Sequence, residues 1–291
     1  MQNHQLTQEA LETINEIAKN CNQELNRPPP SPTYKQKKIL LIRHGFSQYN
    51  YKWDIFKQQN QGQSTHNEKA KLVRLDPHNI DTHLHEIGEI QSKQQQKYFN
   101  ELNIHSVLVS PLFRALQTAD ILFQNHPRKN EIKFLVVPEL SEGLCFSCSI
   151  APFAFSEKRK QQFQNFDFSF GEKFQNKILW QVEQLQCDQI FQKLQKELQN
   201  IQNEDEFSAK VVEELQKVYP QYLETHDHLW LRAQKAKQFI QCYLNQVPEG
   251  QQIVIVAHYV LILYLTSSEN KGYHNMDGIK CQNASIKYWD I

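Results

Sequence analysis

Short apolar runs alternate along the chain with longer polar stretches that have helical spacing. Four of the runs have the length of a buried strand, at 39–42, 104–109, 132–137 and 252–257. Such runs are typical of strands covered on both faces, as in a parallel sheet. Because stretches with helical spacing separate them, the pattern predicts an α/β fold: a three-layer sandwich with a mostly parallel central sheet and helices on both faces.

Two regions stand apart from this pattern. Apolar positions with helical spacing precede the proline run 28–30, which predicts an amphipathic helix and a stiff linker over 1–35. We expect 36–291 to form one further domain, since its length allows a single core. Within it, a phenylalanine-rich and then helical insertion at about 145–220 is predicted to form a helical cap. The glutamine-rich stretch 51–80 is predicted to be a loop with one short helix.

Each predicted strand is followed by a side chain suited to phosphate chemistry. Arg43 and His44 follow the first strand, and Arg114 lies in the first turn of the helix predicted after the second. Glu142 comes shortly after the third strand, and His258 comes directly after the fourth. The carboxyl ends of parallel strands share one edge of the sheet, where ligands bind in open α/β folds. Since arginine grips phosphate in two places and histidine can act as a covalent nucleophile, we expect a phosphate site at this edge.

Further sequence blocks accompany these residues in a fixed order. The blocks are Arg43-His44-Gly45 followed by Ser47 and Asn50, then 81–88, 110–119, 140–142, 257–258 and 281–286. Together they resemble the histidine phosphatase superfamily, in the branch that includes cofactor-dependent phosphoglycerate mutase. The resemblance covers about 36–150 and 224–291.

The resemblance implies hydrolysis of phosphate monoesters without a metal ion or other cofactor. His44 would attack phosphorus and become phosphorylated. Arg43, Arg114 and His258 would hold the phosphoryl oxygens and neutralise the charge of the transition state. Glu142 would donate a proton to the leaving oxygen and then accept one from water. The substrate would be a phosphorylated small molecule or a phosphoprotein.

Five further residues are expected to contact the substrate. The resemblance places Ser47 and Asn50 near the phosphate, where they would add neutral hydrogen bonds. Tyr259 stands where relatives carry a small residue, so its ring either crowds the phosphate or points away. Lys158 and Arg159 lie among the phenylalanines of the insertion. They form either a solvated face or, with some of these phenylalanines, a pocket wall that favours an anionic leaving group.

Two polar positions are expected to act on local structure and not on the substrate. Asp81 is predicted to be a turn or helix-capping residue. His85 stands where the similar family has a threonine that caps a helix. We expect this replacement to lower local stability and to leave activity intact.

Two other functions stay open. A phosphomutase would return the phosphoryl group to a second hydroxyl of the bound substrate, and it would need a closed pocket with extra basic residues. The stretch 143–151 contains no arginine or lysine, which favours hydrolysis. A catalytically retired member would instead serve as an interaction or structural subunit. Tyr259, the predicted N-terminal helix and the insertion keep this interpretation open, whereas retention of the five predicted catalytic residues argues against it.

Composition narrows the function classes further. The 32 basic and 32 acidic residues give a formal net charge of zero, so neither nucleic-acid nor membrane-surface binding is indicated. No apolar run has transmembrane length and residues 1–30 lack a signal-peptide core, so we expect a cytoplasmic protein. Six cysteines are too few for a disulfide scaffold, and the Cys145/Cys148 pair lacks the further ligands of a metal site. A protein partner could bind the N-terminal helix.

Overall fold

The computed structural model describes residues 39–64, 67–175, 180–181, 196–197, 200–201, 203–219, 223–272 and 275–291. The predicted helix and linker over 1–35 lie outside the described residues, as does most of the helical spacing read between 176 and 199. The division of the chain into domains therefore stays a prediction.

One sheet organises the described residues. Its six strands are β1 (Ile39–Arg43), β2 (Ile104–Val109), β3 (Lys133–Val136), β4 (Phe166–Asp167), β5 (Gln252–Ala257) and β6 (Ile286–Trp289). They lie in the order β4-β3-β2-β5-β1-β6, and every neighbouring pair is parallel except β1 with β6. The four strands that the sequence predicts, β1, β2, β3 and β5, form the centre of this sheet.

Helices connect the strands and cover the sheet. The α-helices of the described residues are α1 (Gln48–Gln59), α2 (Glu68–Arg74), α3 (Glu86–Asn100), α4 (Phe113–Phe123), α5 (Glu157–Gln162), α6 (Glu204–Val218), α7 (His226–Leu244) and α8 (Tyr259–Thr266). Short 3-10 helices are Pro77–Asn79, Lys129–Glu131, Pro138–Leu140, Ser147–Ser149 and Ser169–Phe174. Parallel neighbours such as β2 and β3 need a crossover connection, which α4 supplies. None of the helices that the structure describes is both long and apolar enough to cross a bilayer.

Both faces of the sheet are buried against helices. Leu40 and Ile42 of β1 pack with buried side chains of α3 and α4 on one face. Ile39 and Leu41, which alternate with them, pack with α7 and α8 on the other face. Since successive side chains of a strand point to opposite faces, one strand contributes to two cores. This arrangement confirms the predicted three-layer sandwich with a mostly parallel central sheet.

Part of the insertion differs from the predicted helical cap. Phe166 and Asp167 form β4, which pairs parallel to β3 at the edge of the sheet. Five phenylalanines of the insertion are buried in the same core as α3 and α4, at positions 155, 163, 166, 168 and 174. These five therefore belong to the core, whereas Phe146 of the same insertion lines a cavity. A two-residue strand carries no readable alternation, so the sequence pattern could not predict β4.

The stretch 51–80 is also more helical than predicted. It contains most of α1, all of α2 and a 3-10 turn, in place of one short helix. Leu75, just after α2, packs with Phe207 and Val211 of α6 in a small separate cluster. That cluster joins the cap to the segment that follows β1.

Candidate active site

Three parallel strands end side by side and bring the predicted residues together. β1 and β5 are in register at Arg43 and Ala257, and the end of β2 lies beside β5. The backbone N–H of His44 donates to the carbonyl oxygen of Ala257 at 2.9 Å, which extends the ladder one residue beyond β1. His258 follows Ala257, and its ring centroid is 5.0 Å from that of His44. The convergence expected at this sheet edge is therefore observed.

His44 is a buried, neutral imidazole with one unprotonated nitrogen. Its Nδ1 lies 2.8 Å from the carbonyl oxygen of Gly45, and because a carbonyl only accepts, Nδ1 carries the proton. Its Nε2 accepts a hydrogen bond from Nε of Arg114 at 3.1 Å. Burial, followed by the charges of Arg114 and Arg43, holds the pKa of His44 well below its usual range. A histidine nucleophile needs such an unprotonated nitrogen.

Two arginines supply positive charge next to this imidazole. Arg114 Nη1 donates to the carbonyl oxygen of Cys148 at 2.6 Å, which fixes the guanidinium beside His44. Arg43 lies with its Cζ 5.4 Å from the centroid of the Tyr259 ring. The Nε of Arg43 has no hydrogen-bond partner among the described residues. Both side chains therefore place donors where an anion could bind.

His258 is fully buried and neutral. Its Nε2 lies 2.7 Å from the hydroxyl oxygen of Ser110, and its Nδ1 has no partner within the described ranges. Burial, followed by the charge of Arg114, lowers the pKa of His258 well below its usual range. When Ser110 donates to Nε2, the proton of the ring resides on Nδ1, which can then donate to a phosphoryl oxygen.

Glu142 is held at the first turn of α8. Its carboxylate accepts from the backbone N–H groups of Gly143 at 3.0 Å, Leu261 at 3.1 Å and Val260 at 3.3 Å. Burial raises the pKa of the Glu142 carboxyl above its usual value, although these amides and Arg114 act against the rise. A carboxyl group with a raised pKa is suited to act as a general acid.

A cavity of about 800 Å³ opens at this edge of the sheet. Seven of the ten predicted site residues line it: Arg43, His44, Ser47, Asn50, Arg114, Glu142 and Tyr259. This volume is typical of a small-molecule site. Tyr259 lines the cavity and its ring lies next to Arg43, so it does not point away from the predicted phosphate site.

Lys158 and Arg159 do not line this cavity. They line a second one of about 470 Å³, which differs from their expected position at the leaving group. Arg159 forms an ion pair with Asp81 at 2.6 Å, and the two side chains are only 11% and 9% exposed. The Cζ of Arg159 lies 4.6 Å from the ring centroid of Phe113. Arg159 therefore interacts with the start of α4 and does not reach His44.

The turn that carries His44 is packed against the first turn of α3. The carbonyl oxygen of Phe46 accepts from the backbone N–H of His85 at 2.9 Å, and the N–H of Phe46 donates to the Gln91 side chain at 2.9 Å. A Cβ atom added to Gly88 would lie 2.1 Å from the Phe46 oxygen. One added to Gly45 would lie 2.7 Å from the Gly88 oxygen. The two glycines therefore allow a backbone contact that no other residue permits.

Ser47 and Asn50 begin α1 as a reciprocal cap. The Ser47 hydroxyl accepts from the Asn50 N–H at 3.2 Å, and the Ser47 N–H donates to the Asn50 side chain at 3.1 Å. Asn283 belongs to the block 281–286, to which the sequence assigned no role in the site. Its Nδ2 donates to the carbonyl oxygens of His44 at 3.0 Å and Gly45 at 3.3 Å. These three side chains therefore position the turn after β1, whatever contacts Ser47 and Asn50 make with a ligand.

Asp81 and His85 both cap helices. Asp81 Oδ1 accepts from the Phe113 N–H at the start of α4 at 2.8 Å, and its φ of 41° makes a turn. The predicted turn or cap is therefore observed. His85 Nδ1 accepts from the Ile87 N–H at 3.3 Å at the start of α3. The imidazole takes the place of the threonine hydroxyl, which offsets the expected loss of local stability.

Arg74, the last residue of α2, is a cavity residue that the sequence did not reveal. It lies against two aromatic rings, with its Cζ 4.4 Å from the centroid of Trp53 and 4.5 Å from that of Phe146. All three side chains line the 800 Å³ cavity. A single arginine at the end of a short helix is an ordinary surface pattern, and its aromatic partners come from other segments.

Two cysteines in the cavity are free thiols, Cys145 and Cys148. Burial raises the pKa of Cys148 to about 11, so its thiol stays protonated and is a poor nucleophile. In the part of the chain that the structure describes, no group of three or more His, Cys, Asp or Glu side chains is arranged to hold a metal ion.

Solved structures show a weak likeness to this chain. A phosphoglycerate mutase from Bacillus anthracis is 14% identical, with 88% of this chain and 94% of that chain covered and a TM-score of 0.40. An ecdysone phosphate phosphatase from Bombix mori is 12% identical, with 86% and 87% covered and a TM-score of 0.41. TM-scores this low do not support assigning a function to this chain.

Sequence comparison is more specific. A stretch of 104 residues is 30% identical to the Danio rerio protein named fructose-2,6-bisphosphatase TIGAR B. That match covers 36% of this chain and only 33% of the zebrafish protein. Residues 39–172, which include Arg43, His44 and Arg114, match the model of the histidine phosphatase superfamily, branch 1. Over residues 39–172, the chain is therefore similar to the histidine phosphatase superfamily.

Proposed function

We propose that this chain hydrolyses phosphate monoesters through a phosphohistidine intermediate on His44. The observation that carries the proposal is the state of this imidazole, with Nδ1 donating to Gly45 and an unprotonated Nε2 beside Arg114. Its lowered pKa keeps it neutral at physiological pH, so no separate base is needed to activate it.

Binding of the phosphoryl group depends on the positive charge beside His44. Arg43 and Arg114 present planar guanidinium donors, and Nε of Arg43 has no partner among the described residues. His258 adds the unpartnered Nδ1. Because these donors are held in place before the reaction, they stabilise the charge that develops on the equatorial oxygens.

In the first step, Nε2 of His44 bonds to phosphorus while the bond from phosphorus to the leaving oxygen breaks. The hydrogen bond from Arg114 then moves from Nε2 to a phosphoryl oxygen, since the lone pair of Nε2 is used. Glu142, whose raised pKa favours its protonated form, gives its proton to the leaving oxygen, which departs as an alcohol.

In the second step, water attacks the phosphorus of the phosphohistidine. Glu142 is now ionised and accepts a proton from this water, and the bond between phosphorus and nitrogen breaks. The products are inorganic phosphate and neutral His44. Between the two steps, the three amides around Glu142 and the N-terminus of α8 stabilise its negative charge.

The substrate that we propose is a phosphorylated small molecule, in keeping with a cavity of about 800 Å³. The zebrafish relative carries the name of a fructose-2,6-bisphosphatase. We propose for this chain the same class of reaction, hydrolysis of a phosphate ester.

A trapping experiment tests the proposal. Brief mixing with a ³²P-labelled phosphate ester should leave an acid-labile, base-stable label on the protein, with release of inorganic phosphate. His44→Ala should lose both label and turnover, whereas His105→Ala, on β2 and outside the cavity, should keep both. Equal labelling of wild type and His44→Ala would overturn the assignment of the nucleophile. Formation of a positional isomer without inorganic phosphate would assign a phosphomutase.

A further inference from the structure

The Arg74 guanidinium is buried without a neutralising partner. Only 8% of the residue is exposed, and its Nε and Nη1 have no hydrogen-bond partner within the described ranges. The carboxylates that line the cavity are engaged elsewhere. Asp54 pairs with Lys57 at 2.5 Å, and Glu142 accepts three backbone amides. A buried charge that lacks a partner is unfavourable, so this one needs an explanation.

Two aromatic rings lie against the guanidinium. Trp53 lies on α1 and Phe146 lies in the segment after Glu142, each with its centroid within 4.5 Å of the Arg74 Cζ. Cation–π contact compensates part of the lost hydration. A contact with a ring face does not replace a hydrogen-bond acceptor, and Nε and Nη1 stay without one among the described residues. The arginine therefore lies in the cavity wall with N–H groups that an oxyanion could pair.

The backbone around Arg74 is fixed as well. Its carbonyl oxygen accepts from the Ser147 hydroxyl at 2.9 Å, which ties the end of α2 to the segment beside Phe146. The Tyr219 hydroxyl also lies near: the Arg74 charge lowers the pKa of that hydroxyl, although burial raises it by more. Arg74 and His44 line the same cavity. A molecule that places a phosphoryl group at His44 can thus extend toward Arg74.

We propose that Arg74 binds a second anionic group of the substrate, a phosphate or a carboxylate on the leaving group. This inference rests on the proposed function, because that function assigns the first phosphoryl group to His44, Arg43 and Arg114. A planar guanidinium matches both oxyanions in two-point geometry. Preference for an anionic leaving group therefore resides at Arg74 and not at Lys158 and Arg159, which line the second cavity.

Binding of non-hydrolysable ligands tests the proposal without turnover. Isothermal titration would compare alkylphosphonates with alkane-bisphosphonates and ω-phosphonoalkanoates whose linkers have three to six carbons. Wild type should prefer a doubly anionic ligand over the alkylphosphonate of equal length by about tenfold or more at one linker length. The bisphosphonate and carboxylate series distinguish the two kinds of second anion.

Substitutions of the last turns of α2 then locate the second site. Arg74→Gln should abolish the preference for the doubly anionic ligand, and Arg74→Lys should retain part of it because the charge remains without the planar fork. Lys71→Gln removes a charge from the same helix, outside the cavity, and should keep the full preference. An equal loss of preference in Lys71→Gln would overturn the proposal. The preference would then reflect only the positive charge of this region and not a contact with Arg74.

Other outcomes also decide the matter. A wild-type protein with no preference at any linker length would overturn the proposal. So would an Arg74→Gln variant that melts at a lower temperature but keeps the preference, because Arg74 would then only stabilise the fold. A preference that depends on Arg74, found in a protein without phosphatase activity, would support this site and refute the proposed function. Hydrolysis of simple monoesters by a protein that does not prefer doubly anionic ligands would support the proposed function and refute the second anion site.

Discussion

Arg114 donates from its Nε to Nε2 of His44 across 3.1 Å, and so it engages the nitrogen that attacks phosphorus in the proposed reaction. The same contact helps keep the imidazole neutral, because the nearby charge lowers the pKa of His44. In the proposed reaction, this one arginine keeps His44 unprotonated beforehand and then becomes available to a phosphoryl oxygen.

Replacement of this arginine should affect the chemical step. Arg114→Lys keeps the charge but cannot donate both to His44 and to the carbonyl of Cys148 in the same fork. We expect kcat to fall by ~10²–10³-fold. Steady-state kinetics would measure this loss, and Arg128→Lys, a partly exposed arginine outside the cavity, serves as the matched control. A change in KM alone would contradict a role for Arg114 in the transition state.

The pH dependence of the reaction should reflect His44 and Glu142. The pKa of His44 is lowered well below 6.5, so activity is lost at acidic pH, where this ring gains a proton. The pKa of Glu142 is raised above 4.5, so the rate falls with rising pH as this carboxyl loses the proton that it must donate. Glu142→Gln should remove the falling limb and lower kcat by ~10²–10⁴-fold for alkyl phosphates.

A comparison of substrates with different leaving groups distinguishes proton donation by Glu142 from a purely structural role. An aryl phosphate releases a stable aryl oxide that needs little protonation, so Glu142→Gln should slow it much less than an alkyl phosphate. pH–rate profiles with both substrates would check this. An equal loss for both substrates would show that Glu142 is not the general acid.

Tyr259 should limit the size of the substrate. Its ring lines the cavity above Arg43, so Tyr259→Ala should raise kcat/KM for bulky phosphate esters relative to small ones. Loss of the contact with Arg43 should lower the free energy of unfolding by only about 0.5–1 kcal/mol. Tyr259→Phe keeps the ring and should behave as wild type. Competition between a bulky and a small ester would measure the ratio, and an unchanged ratio in Tyr259→Ala would place the ring outside the space that substrates use.

Arg159 should matter for stability. Its partner Asp81 is almost fully buried, so Arg159→Ala leaves a carboxylate without its counter-charge and should cost about 3 kcal/mol in urea denaturation. Lys158→Ala removes the neighbouring exposed charge and should change stability by less than about 0.5 kcal/mol. The same Lys158→Ala variant should leave KM for acidic and neutral esters unchanged. A KM that rises only for the acidic ester would show that Lys158 does contact the substrate.

The sequence predicted the centre of this site well. His44, Arg114 and His258 each follow a predicted strand, and parallel strands place their carboxyl ends at one edge of a sheet. Strand identity and chain order were therefore enough to predict that these side chains meet. Glu142 follows the predicted third strand in the same way, and the family resemblance supplied its expected role.

Residues placed by tertiary contacts were not predictable in this way. Arg74 gains its position from Trp53 and Phe146, which come from different segments, and no sequence spacing records such a stack. The sequence does not distinguish Arg159 from an arginine that binds substrate. Its ion pair with Asp81 and its position in the second cavity become visible only in the structure. The phenylalanines of the insertion have the composition of a pocket wall or of a core, and the position of β4 decides between them.

The contact between Gly88 and Phe46 has a genetic consequence. Because a methyl group at Gly88 would collide with the backbone of Phe46, two residues after His44, even alanine there must push the turn out of place. A screen for inactive variants that still fold should recover Gly88 together with His44, although Gly88 is not among the residues that line the cavity. His44 can thus be displaced by a substitution on α3 at a residue that does not itself line the cavity.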